Sequence, residues 1–161
     1  MIIAIFIYAV AMVLANLSVA HFGAWVSPIN SFFFIGLDLT LRDWLQVKIK
    51  PLSMLFLIVC TGAITYLLNP TASHIAIASS VAFTASALVD WAAFTKLKGS
   101  WISRANKSNV FGAAVDSILF PTIAFGVLMP HIIAFQFLAK VAGGACWSLL
   151  ITKFIITKGT K

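Results

Sequence analysis

The stretch from Asn30 to Trp44 is apolar enough to sit in lipid, yet it holds an acid and a base, Asp38 and Arg42, one helical turn apart. On a helix Asn30, Phe34, Asp38 and Arg42 recur at i, i+4, i+8 and i+12 and share one stripe. A charge at membrane depth is costly and survives where it faces a bundle interior or a watery cavity. Asn16, Asp90, Asp116 and Lys140 are likewise set deep inside apolar runs, and Ser86 precedes Asp90 by one turn. The chain has no glutamate, and its 4 carboxylates are Asp38, Asp43, Asp90 and Asp116. Asp43 is expected to reach water at the end of its helix. The other three face only Arg42 and Lys140 as deep basic partners. One negative charge is left over, so either an aspartate holds a proton or a cationic group completes the set. Ion pairs that merely fasten helices are the plainer explanation. They stabilise poorly, because desolvation offsets much of the attraction, so a binding site accounts better for charges on several helices.

The chemistry of such a site follows from the groups. A carboxylate accepts two parallel hydrogen bonds from the adjacent N–H and amino groups of a guanine-like edge, and Arg or Lys donates to a carbonyl or nitrile. Asn offers one donor and one acceptor group. Phe34, Phe83, Phe120, Phe125 and Trp91 are candidate stacking faces. His21, His74 and His131 fall at outer helix ends, which gives neither a metal site nor a serine–histidine pair. Cys60 and Cys146 lie in apolar runs without metal-like spacing and read as small hydrophobes. No cofactor or metal is expected, and the chain does not read as an enzyme.

The elements that must position these groups follow from composition. Of 161 residues 61% are hydrophobic and only 9% charged, against about 25% charged in soluble domains. The expectation is an all-α membrane protein, a single domain over residues 1–161 with six transmembrane helices in one bundle. The spans are expected near 2–20, 27–46, 51–68, 73–97, 109–128 and 130–156. The first lacks a basic leader and reads as a span rather than a signal peptide. Ser27 and Pro28 mark the start of the second, Asn69-Pro70 the end of the third, and Pro121 is expected to kink the fifth. With six spans, Lys48, Lys50, Lys96, Lys98, Arg104, Lys107, Lys153, Lys158 and Lys161 share one side. By the positive-inside rule both termini are cytoplasmic. That arrangement accounts for the net charge of +7 without nucleic acid.

The segment Phe33 to Arg42 resembles the second-helix signature of the queuosine precursor transporters, also called the vitamin uptake transporter family. The resemblance continues through Ser86 to Asp90 with Phe94, Lys96 and Lys98, through Phe111-Gly112 with Asp116, Phe120, Ala124 and Phe125, and through Phe137 to Val141. Asn16 matches an asparagine of the family's first helix. Ala113 departs from the pattern, standing where some members have a polar residue, and Asp43 is an added charge. The resemblance implies a multi-pass importer in the inner (plasma) membrane, salvaging 7-cyano-7-deazaguanine or its aminomethyl relative. The resemblance puts Asn16, Asp38, Arg42, Asp90, Asp116 and Lys140 at the family's motif positions, and with Phe34, Ser86 and Phe120 from the helix faces they make the expected substrate-binding set. The implied partners are the deazapurine and the lipid bilayer. Ala139, Ala142, Gly143 and Gly144 could seat a second copy as a homodimer. The alternative is a substrate-binding subunit of an ATP-driven (ECF-type) uptake complex, served by a separate ATPase.

Overall fold

A computed structural model describes residues 2–46, 48–68 and 73–153. All regular structure among them is helical: α1 (Ile2–Phe22), α2 (Ser27–Asn30), α3 (Gly36–Gln46), α4 (Pro51–Leu68), α5 (Ser73–Lys96), α6 (Trp101–Phe125) and α7 (Pro130–Ile151). A 3-10 turn (Ala24–Val26) precedes α2, and a π-helical turn (Ser31–Ile35) joins it to α3, so residues 24–45 make one continuous span. Together with α1, α5, α6 and α7 this gives 5 helices long and apolar enough to cross a membrane. The remaining expected span falls on α4, a helix of 18 residues. The Asn69-Pro70 stop, the extension of the last helix to Ile156, and Lys158 and Lys161 lie outside the described residues.

The molecule is polar inside and apolar outside. Phe6, Phe56, Leu67, Leu88, Phe135, Leu138 and Leu149 are exposed, while Asp38, Arg42, Asp43, Asp90 and Lys140 are buried. Such an arrangement suits lipid as solvent, because the charges face inward and the apolar side chains face the acyl chains. α1 shows the consequence along one element. Tyr8, Met12 and Asn16 are buried one above another, whereas Ile3, Phe6, Val10 and Leu14 face out.

α3 is packed against α1, α4, α6 and α7. Leu39, Thr40, Leu41 and Leu45 are buried along with its three charged residues, so the helix is enclosed all round. Asp43 therefore does not reach water as its place near the helix end suggested. With neighbours on every side, no face of α3 at this level opens to solvent.

The span 24–45 meets α7 backbone to backbone. A Cβ on Gly36 would lie 2.7 Å from the Gly143 carbonyl carbon, and one on Gly143 would run into the Phe32 carbonyl oxygen. Thr40 Oγ1 donates to the Gly144 oxygen at 3.2 Å, and Trp147 Nε1 donates to the Phe33 oxygen in the π turn at 3.1 Å. The small-residue run of α7 thus seats a helix of its own chain through Gly143 and Gly144, with Ala142 left exposed.

α6 starts well before the expected Asn109. Ser100 caps it by accepting from the Ser103 amide at 3.4 Å, and Arg104 folds back onto α5, donating to the Phe94 oxygen and lying 4.1 Å from the Phe94 ring centre. Residues Gly99 to Ser108 read as a loop in isolation, but these contacts make the stretch from Trp101 helix. Gly126, at φ 69°, ends α6 in the left-handed conformation that glycine adopts without penalty.

Candidate functional site

Two apolar clusters bracket a polar layer. One, at the end carrying the start of α1 and the close of α3, gathers Ala4, Tyr8, Met12, Leu41, Leu45 and Phe83. The other, at the opposite end, gathers Val19, Ile75, Ala78, Ala82, Phe120 and Ala124. Between them the charged groups sort into two groups rather than one.

The first group is built on Lys140. Its ammonium has three donors, and three acceptors meet it: Asp116 Oδ2 at 2.8 Å, Gln136 Oε1 at 2.8 Å and Ser117 Oγ at 3.1 Å. Gln136 is one turn before Lys140 on α7, and its amide passes the chain on by donating to Ser27 Oγ at 2.8 Å. Ser27 was expected to cap its helix. The 3-10 turn before it moves the helix start upstream, which frees the hydroxyl for Gln136. Asn30 donates to the Ala15 oxygen at 3.2 Å and to Ser18 Oγ at 2.6 Å, tying the span 24–45 to α1.

These groups surround a cavity of about 20 Å³, room for about one water molecule. Asn16, Asn30, Ser31, Ile35, Ser79 and Phe83 line it together with Asp116, Phe120, Gln136 and Lys140. Asn16 is 2% exposed and its amide nitrogen has no hydrogen-bond partner. A buried amide left open in this way is costly. Phe120 presents its ring to the cavity and meets Phe125 edge to face, with centroids 6.3 Å apart. The cavity is far smaller than the roughly 300–1,000 Å³ of an open small-molecule pocket, so the helices are closed around it.

The second group lies deeper toward the α3 terminus. Arg42 Nη2 stands 3.5 Å from Asp90 Oδ2, and the guanidinium carbon is 5.5 Å from the centre of the Phe83 ring. Ser86 Oγ donates to the Gly112 oxygen at 2.9 Å. Gly112 lets the pair lie against α6: a Cβ there would come within 3.1 Å of Asp90 Cβ and 3.4 Å of Arg42 Nη2. Asp38, fully buried, lies between the groups within electrostatic reach of both Arg42 and Asp116.

Of the residues expected at the site, Asn16, Asp116, Phe120 and Lys140 meet at the cavity, while Asp38, Arg42, Ser86 and Asp90 are gathered in the adjoining cluster. Phe34 is half-buried and off the cavity lining. The π turn explains this: its wider winding breaks the four-residue period, and Ser31 and Ile35 face the cavity instead. Trp91 is exposed on the lipid side. Sequence reasoning underrated Gln136, although its spacing of one turn from Lys140 placed it on the same face, and it gave Asp43 to solvent.

Among curated proteins and among solved structures, none matches the chain. Residues 1–157 match the family model titled "Putative vitamin uptake transporter". The inward-facing charges, the apolar exterior and the closed polar cavity between helices accord with that match, and the chain belongs to the vitamin uptake transporter family, as a multi-pass membrane transporter and not an enzyme.

Proposed function

We propose that the protein imports a queuosine precursor, 7-cyano-7-deazaguanine or 7-aminomethyl-7-deazaguanine, across the inner (plasma) membrane. In this reading all six apolar segments cross, α4 included, and both termini are cytoplasmic, beside the exposed Lys48, Lys50, Lys96, Lys98 and Lys107. The observation that carries the reading is the convergence of Asn16, Asp116, Phe120, Gln136 and Lys140 on one enclosed cavity. Asp116 is fixed on one side by Lys140, and its carboxylate accepts the N1–H and amino group of the guanine-like edge. Asn16, whose amide nitrogen has no partner of its own, donates to a ring nitrogen or carbonyl. Phe120 supplies the stacking face. Arg42, Asp38, Ser86 and Asp90 form the next polar station toward the cytoplasm. Because the cavity is closed, entry requires the span 24–45 and α5 to part from α6 and α7, as alternating access demands.

The test is uptake of labelled 7-cyano-7-deazaguanine by cells that cannot synthesise it and that contain this protein without any added ATPase partner. Uptake competed by unlabelled base and lost in Asn16→Ala and Asp116→Asn is the expected result. Wild-type protein present in the membrane without uptake overturns the stand-alone importer. Uptake restored only by co-expressed energy-coupling subunits assigns the chain to the ECF-type alternative.

A further inference from the structure

The Arg42 cluster contains more acid than its cation can neutralise. Asp43 on α3 and Asp90 on α5 are both fully buried, and their carboxyl groups face each other within hydrogen-bonding reach. Two carboxylates are both acceptors, so this contact closes only with a proton between them. Arg42 offsets one negative charge through Asp90, and Arg104, whose guanidinium donates to the Phe94 oxygen, reaches Asp43 only electrostatically and gives it no hydrogen bond. Among the described residues no other donor completes the set. All carboxyl oxygens of Asp38, Asp43 and Asp90 lack hydrogen-bond partners. So does the Tyr8 hydroxyl, 0% exposed, which lies within electrostatic reach of Asp38 and Arg42. The charged and titratable groups around the pair are Tyr8 from α1, Asp38 and Arg42 from α3, and Arg104 from α6. α4 has no charged residue, and the single lysine of α7, Lys140, belongs to the cavity.

We propose that Asp43 and Asp90 share one exchangeable proton, and that this pair couples import to proton entry. Uptake converts the Asp43 carboxylate to a carboxyl whose O–H is donated to Asp90; release returns that proton to water at the basic end of the molecule. Without it, two negative charges in contact push α3 and α5 apart. The span 24–45, which ends in α3, and α5 also wall the cavity, through Asn30, Ser31 and Ile35 on one and Ser79 and Phe83 on the other. Arg42, paired to Asp90, packs on the face of Phe83, so a shift at the carboxyl pair is transmitted to the cavity wall. The coupling half of this proposal rests on the importer reading; the shared proton does not.

Infrared spectroscopy of the purified protein tests the proton without substrate. A protonated-carboxyl C=O band that shifts on deuteration is expected near neutral pH in Asp38→Asn, which removes the other buried unpartnered carboxyl, and in Asp38→Asn/Asp116→Asn, and is lost in Asp38→Asn/Asp43→Asn. In the same background Asp43→Glu, which keeps a carboxyl, retains the band and guards against a merely misfolded variant. Absence of the band in Asp38→Asn, or its survival in Asp38→Asn/Asp43→Asn, overturns the shared proton. Vesicles carrying the protein test coupling. An outward-acid gradient of one pH unit drives up to about tenfold accumulation if one proton accompanies each substrate. Asp43→Asn is expected to abolish accumulation while substrate exchange between the two faces persists. Exchange in wild type without gradient-driven accumulation overturns coupling and leaves the importer standing. No exchange of deazaguanine at all defeats the importer reading, and the infrared result then decides the proton alone.

Discussion

Lys140→Met separates what the Lys140 cluster does for the fold from what it does for a guest. Methionine keeps an unbranched apolar stem of similar length and removes the ammonium. Three acceptors lose their donor at once: Asp116 Oδ2, Gln136 Oε1 and Ser117 Oγ. The dominant loss is the charge on Asp116, whose side chain is only 7% exposed. Removing one partner of a buried ion pair costs ~3–5 kcal/mol, because the other is left uncompensated. The Gln136 carbonyl adds to this only in part, since Gln136 can reorient within its bond to Ser27. Replacing both charges avoids the orphan, and such double replacements are often close to neutral. Lys140→Met/Asp116→Asn should therefore recover all but about 1–2 kcal/mol of wild-type stability, while Lys140→Met alone loses ~3–5 kcal/mol. The assay is reversible denaturant unfolding of the purified protein in mild detergent, run on wild type, both single variants and the double variant. Substrate binding is measured on the same samples. The double variant should fold and still fail to bind, because the importer proposal assigns the guanine-like edge to the Asp116 carboxylate. A double variant as unstable as Lys140→Met refutes the charge-pair account, and one that binds normally refutes the role given to Asp116.

The other predictions rest on packing and register. Gly143→Ala places a methyl group against the Phe32 carbonyl, where neither backbone can yield cheaply, and should cost ~1–3 kcal/mol or more, measured as a lowered unfolding midpoint. Ala142→Leu, on the exposed side of the same helix, should leave that midpoint unchanged. Asn16→Ala should weaken deazaguanine binding while Phe34→Ala spares it, as read by titration of purified protein; the reverse order would mean that the π turn does not set the register of the site. Gly112→Ala pushes on Asp90 and Arg42 without altering a charge. Gradient-driven transport should fall more than binding, as measured in vesicles alongside equilibrium titration.

What could be read from the sequence was whatever depends on one helix at a time. Tyr8, Met12 and Asn16 share a face of α1, and Ser79, Phe83, Ser86 and Asp90 share a face of α5, because the α-helical period alone sets both stripes. That acids and bases would turn inward also followed, since lipid offers a charge nothing. The pairing did not follow. Arg42 with Asp90 and Lys140 with Asp116 are contacts between helices, and they depend on which backbones can approach, as Gly112 shows for the first pair. Asp43 was misplaced for a related reason. Nearness to a helix end suggests water only when that end is free, and α3 is enclosed by neighbours along its length. Phe34 left the expected stripe because the period itself changes at Ser31–Ile35, a feature no count in steps of four can reveal. These departures bear on mechanism rather than on fold class. The buried Asp43 turns a surplus of one negative charge among the deep groups into a surplus of two, against the same Arg42 and Lys140. In the proton-coupled proposal, one of these surplus charges is met by the proton at the Asp43–Asp90 contact.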